Sequence, residues 1–130
     1  MRTHSRLPWR AWLSLWLPVV AWLGLIFFLS SRPDLPHPES GWLDNLFGMG
    51  AHTLEYGVLA ALLSRALAGR MRGGLLVFVL AFLYALSDEF HQSFVPGRTP
   101  DPLDLLFDSL GSLLGLAAWG WITRRRASRR

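Results

Sequence analysis

Apolar residues run almost unbroken through four stretches of the chain, and the polar residues that interrupt them gather at one end of each of the last three. The first stretch, 11–30, carries no charge. At about 1.5 Å per residue it is long enough to cross a hydrocarbon core of about 30 Å. Stretches 51–69, 73–90 and 103–122 are of comparable length and predict three further spans. Together they predict an all-α fold, a four-helix transmembrane bundle built as one domain over residues 1–130. Between the first two spans lies the longest loop. Pro33, Pro36 and Pro38 keep its start extended. Beyond Ser40, a candidate N-cap, Trp42, Leu43, Leu46 and Phe47 share one face, which predicts a short amphipathic helix lying over the outer surface.

Turn chemistry supports these boundaries. Gly73-Gly74 follows a short basic connection, Arg70-Met71-Arg72, and permits a tight turn. Val95-Pro96-Gly97-Arg98 has Pro where a type II turn fixes φ and Gly where it requires φ > 0. Asp101-Pro102 suits an N-cap followed by Pro at the first helical position. Gly111 and Gly115 then recur four residues apart, a spacing that lets two helices approach closely.

Consecutive spans alternate direction, so the polar ends of spans two, three and four meet at one membrane face. Helical spacing places His52, Glu55 and Tyr56 on one side of the second span, and Asp88, His91 and Gln92 on one side of the third. Glu89 is offset by about 100° from Asp88. Asp104 and Asp108 share a face of the fourth span with Gly111 and Gly115. Ionisable groups at such depth face inward and mark function, because exposing them to lipid is costly.

Charge settles the topology expected of the bundle. The chain has 13 basic residues, all arginine, with 9 acids and a net charge of +4. Eleven arginines flank the first span's start, the link between spans two and three, and the end of span four; only Arg32 and Arg98 lie in the opposite loops. That bias predicts both termini in the cytoplasm and the acid cluster outside. It also assigns the basic tail to anionic lipid rather than to nucleic acid. Cysteine is absent, which excludes disulfides and thiolate chemistry; the lack of lysine excludes a lysine Schiff base. The first span reads as a retained anchor rather than a cleaved signal, since no small-residue cleavage site follows it.

Three readings of the cluster stand open. It is a self-satisfying network that pins three helices, a site for a polar head group at the outer leaflet, or a proton or cation pathway. Arg98 is the one nearby base, and its planar fork is expected to pair with Asp88, Glu89 or Asp104. His52, Glu55, Asp88, Glu89 and His91 offer hard oxygen and imidazole ligands for a metal, but His52-x-x-Glu55 lacks the second histidine of the H-E-x-x-H pattern. No nucleotide or other cofactor fingerprint is present.

His52-Thr53-Leu54-Glu55-Tyr56-Gly57, then Ser87-Asp88-Glu89-Phe90-His91-Gln92-Ser93-Phe94-Val95-Pro96-Gly97-Arg98, then Asp104 with Gly111 and Gly115, resemble the VanZ-like family of small bacterial membrane proteins. The resemblance implies a multi-pass protein of the bacterial cytoplasmic membrane, in a family whose founding member is linked to resistance to teicoplanin-type glycopeptides. By match to its motifs, His52, Glu55, Asp88, Glu89, Gln92, Arg98 and Asp104 form the expected functional set. Asp108 stands where the family usually has Asn, and Phe47-Gly48-Met49-Gly50 where it usually has a basic residue. On this reading the cluster recognises or modifies a cell-envelope component, a lipid-linked or surface glycan. Glu89 or Asp88 would be the principal acid and His52 its proton partner. Glu55, Gln92, Arg98, Asp104 and Asp108 would complete the binding surface, with Arg98 orienting a carboxylate or holding a phosphate.

Overall fold

The computed structural model describes residues 8–33, 41–67 and 73–129. Their secondary structure is four helices: α1 (Trp9–Ser30), α2 (Gly41–Ala66), α3 (Gly73–Gln92) and α4 (Pro102–Ala127). All four are long and apolar enough to cross a membrane. Leu17, Leu54, Leu75 and Leu114 are among many large apolar side chains left exposed on the bundle's outside, a surface suited to lipid and far beyond the apolar patches soluble monomers carry.

Polar contacts give the helix directions. Trp22 Nε1 donates to the Glu55 carbonyl at 2.9 Å, while Tyr84 Oη donates to the Leu23 carbonyl at 2.7 Å. Further along, Ser31 meets His91, so α1 and α3 run parallel. A Cβ built on Gly111 would collide with the Thr53 backbone, and one on Gly115 with the Gly57 backbone. Positions 53 and 57 of α2 therefore face 111 and 115 of α4 in parallel register. The glycines set the distance between these two helices, which form the most intimate contact in the bundle. Tyr56, Leu59, Ala60, Val77, Ala81 and Ala85 fill the core, joined from α1 by Val19 and Ile26.

The turn before α4 forms as its residues predict. Arg98 N–H donates to the Val95 carbonyl at 3.1 Å and Gly97 has φ 85°, as type II requires. Asp101 caps α4 by accepting from Leu103 N–H at 2.9 Å, with Pro102 opening the helix.

The first outer loop differs from expectation. The amphipathic segment is not a separate helix: it is the first turns of α2, which runs unbroken from Gly41 to Ala66. Gly48 and Gly50 lie inside this helix, yet each costs only about 1 kcal/mol in a helix interior, and no proline lies there to remove a hydrogen bond. Continuation along the axis leaves Trp42, Leu46 and Phe47 exposed, instead of covering the polar cluster. Ser40 and the 68–72 connection lie outside the described residues.

Candidate functional site

The polar ends of α2, α3 and α4 converge. His52 sits between two acids of α4: its Nδ1–H donates to Asp108 Oδ1 at 2.9 Å, and its Nε2 lies 3.5 Å from Asp104 Oδ2. The four-residue spacing that stacks Asp104 above Asp108 on one helix face thus brackets a single imidazole from the facing helix. Asp108 is only 2% exposed, so this pair is removed from solvent while Asp104, nearer the helix start, remains half-open.

From α3, Asp88 is buried and its Oδ2 accepts from Gln92 Nε2 at 3.2 Å, one turn on. Glu89 points, as its offset predicts, away from Asp88. Its Oε2 accepts the Asp101 N–H at 3.0 Å, joining the end of α3 to the start of α4. Glu55 lies within electrostatic range of His52, Asp88, Asp108 and Arg98, and Glu89 within range of Asp104, Asp108 and His52. The sequence-predicted acids and His52 therefore form one cluster.

Two residues go elsewhere. Arg98 forms no ion pair with Asp88, Glu89 or Asp104; its Nη2 donates to the carbonyls of Leu29 at 3.3 Å and Arg32 at 3.1 Å. These carbonyls close the C-terminal end of α1, where unsatisfied acceptors and the helix dipole favour a cation. The type II turn aims the guanidinium there. His91 also leaves the cluster: it stacks on Phe27, with ring centroids 4.3 Å apart, and its Nε2–H donates to Ser31 Oγ at 3.0 Å. Ser31 accepts because its own hydroxyl proton goes to the Phe27 carbonyl at 2.7 Å. Both residues anchor α1, a role that spacing within α3 and its turn does not reveal.

The network is not closed. Tyr56 Oη, Glu89 Oε1 and Arg98 Nε are buried with no hydrogen-bond partner among the described residues. Tyr56 is fully buried and lies within electrostatic range of Asp88, Asp108 and Glu55. Buried polar groups are normally paired, so each such atom calls for a partner. Sequence periodicity placed Tyr56 on the cluster's face but could not show that its hydroxyl lacks a partner. Among the described residues no group of three or more acids and histidines is arranged to hold a metal ion.

Two grooves run along the bundle, and neither is lined by the acids. One, of about 670 Å³, follows the α2–α4 seam from Leu46 and Phe107 down to Ala61 and Ala118. The other, of about 470 Å³, lies between α1 and α3 and is lined by Trp16, Leu23, Leu80 and Ser87 among others.

The family model described as VanZ/LLP1 matches residues 15–123. Comparison with curated proteins and with solved structures yields no match.

Proposed function

The chain belongs to the VanZ/LLP1 family, and from that premise we propose that it is a multi-pass protein of the bacterial cytoplasmic membrane that recognises a cell-envelope component at its outer face. The carrying observation is a convergent cluster of His52, Glu55, Asp88, Glu89, Asp104 and Asp108 that leaves buried polar atoms without partners. Arg98 turns its fork to α1 carbonyls, so carboxylate acceptors predominate. Such a surface fits a head group rich in donors, hydroxyls above all, as in a glycan. Glu89 is the principal acceptor, since one of its oxygens is unpartnered while Asp88 is engaged by Gln92. His52 is held between Asp104 and Asp108 as their proton partner, and its Nε2 faces the more open of the two.

A continuous proton path is less well supported. The deeper hydroxyls, Ser64 and Ser112, donate to carbonyls of their own helices at 2.7 and 2.8 Å and link nothing.

The test is a deletion strain complemented with wild type, Glu89→Gln or His52→Gln at matched membrane abundance. The readouts are envelope-stress response and teicoplanin susceptibility, the phenotype the family resemblance suggests. Wild type should restore the phenotype and the two variants should not. Equal restoration by all three would make the cluster a scaffold and sink the reading.

A further inference from the structure

One turn inward of Asp104 the cluster has a second, enclosed tier. It is made by Glu55 and Tyr56 of α2, Asp88 of α3 and Asp108 of α4, each within electrostatic range of the other three. Tyr56 is 0% exposed and Asp108 and Asp88 are buried, so only a small group fits among them. Acceptors outnumber donors here. Among the described residues Asp108 takes one side-chain hydrogen bond, from His52, and Asp88 one, from Gln92. Glu55 is reached from another helix only at its backbone carbonyl, by Trp22. The Tyr56 hydroxyl, in range of all three carboxyls, has no partner. Neither nearby base fills the gap. His52 turns its two ring nitrogens to Asp108 and Asp104, and Arg98 gives Nη2 to α1 carbonyls. Tyr84, its ring centroid 6.4 Å from that of Tyr56, gives its hydroxyl proton to the Leu23 carbonyl. Buried acceptors in such excess call for a donor that brings positive charge with it.

We infer that this inner tier binds a protonated primary amine, so that the head group held by the cluster carries an ammonium beside its hydroxyls. The inference rests on the head-group reading above and narrows it to aminated head groups. An ammonium is a compact charge with protons to give and no acceptor to satisfy. It can donate to acceptors that project from three different helices, the Tyr56 oxygen among them. A neutral hydroxyl brings one proton and an oxygen that itself seeks a donor, and a trimethylammonium brings no proton at all. A guanidinium is a wide planar fork, poorly matched to an enclosed space bounded by a fully buried tyrosine. The more open Asp104 and Glu89 are left to the hydroxyls of the same head group.

The test uses the full chain in phosphatidylcholine nanodiscs, whose trimethylammonium heads supply a quaternary background, with empty nanodiscs subtracted. The octyl glycosides of glucosamine, N-acetylglucosamine and glucose are titrated by isothermal calorimetry, and dihexanoyl phosphatidylethanolamine presents the amine on a phospholipid head. The glucosamine head should bind at least about ten-fold tighter than the other two sugars, the worth of one charge-assisted hydrogen bond. Tyr56→Phe removes only the unpartnered hydroxyl. It should keep the wild-type melting temperature and lower the preference for the amine several-fold, and Asp88→Asn should lower it likewise. If phosphatidylethanolamine binds tighter than the glucosamine glycoside, the amine site stands and its source is a phospholipid; the reverse order assigns it to an amino sugar. Equal affinity for all three glycosides, lost in Glu89→Gln, would overturn the amine inference and leave the head-group reading standing. Absence of binding by every glycoside and by phosphatidylethanolamine would remove both. An amine preference that survives Tyr56→Phe and Asp88→Asn would overturn its place in this tier. Sodium or calcium ions that alone raise the melting temperature of wild type, but not of Tyr56→Phe, would overturn it in favour of a metal ion.

Discussion

At the scale of single residues, the energetics turn on Asp108. It is buried and has one strong partner, the Nδ1 of His52. Removing one member of a buried charged pair leaves the other desolvated and unpaired, which typically costs about 3–5 kcal/mol, whereas removing both is far milder. His52→Ala should therefore destabilise the purified protein by about 3 kcal/mol, and Asp108→Ala on the same background should recover part of that loss. Thermal unfolding in detergent of the two single variants and the double variant checks this; strictly additive losses would mean that the 2.9 Å contact carries no coupling. The acids and His52 were legible in the sequence because helical spacing alone places them on inward faces. Arg98 was misread for a physical reason: a carboxylate is its best partner in isolation, but the turn directs it to the carbonyl end of α1. That preference is set by tertiary geometry and leaves no trace in local spacing.

At the scale of elements, the parallel contact of α2 with α4 brings His52 between Asp104 and Asp108. Gly111 and Gly115 were recognisable as a close-approach pair, and their partners, Thr53 and Gly57, are themselves four residues apart on α2. Which helix they meet could not be read, since small residues advertise proximity without naming the neighbour. A Cβ at Gly111 or Gly115 would strike backbone, which cannot rotate aside. Gly111→Ala and Gly115→Ala should each lose about 1–3 kcal/mol or more of stability, as overpacking does. Gly24→Ala and Gly50→Ala meet nothing within 4 Å and should match wild type in membrane abundance and melting temperature. Equal tolerance at all four sites would show that the seam is loose. The fusion of the amphipathic segment into α2 belongs at this scale too. The amphipathic segment and the second span were read apart, but nothing in Phe47–Ala51 prevents helical hydrogen bonding, and the helix simply continues.

At the scale of the whole molecule, the question is which way the bundle faces. Helix connectivity puts the start of α1, the end of α2, the start of α3 and the end of α4 at one face, and it puts the cluster at the other. The first face carries Arg10, Arg65, Arg124–Arg126 and Arg129 among the described residues. Arg10 stacks 5.5 Å from the Trp9 ring centroid and Arg125 3.9 Å from that of Trp121. Tryptophan at headgroup depth with arginine snorkelling over it is the expected boundary of an inner-facing end. The second face has Arg32 and Arg98, and the latter is engaged by α1 carbonyls. This asymmetry predicts that a green fluorescent protein fused after Arg130 fluoresces. An alkaline phosphatase inserted between Thr99 and Pro100 should be active, since that enzyme requires the oxidising exterior. Both reporters should hold when Arg32 is replaced by Gln, because losing an arginine from the opposite loops only sharpens the eleven-to-two bias. The reverse pattern would put the carboxylates on the cytoplasmic leaflet. The cluster would keep its geometry, but an envelope glycan could not reach it, and its partner would then have to be a lipid or protein of the inner surface.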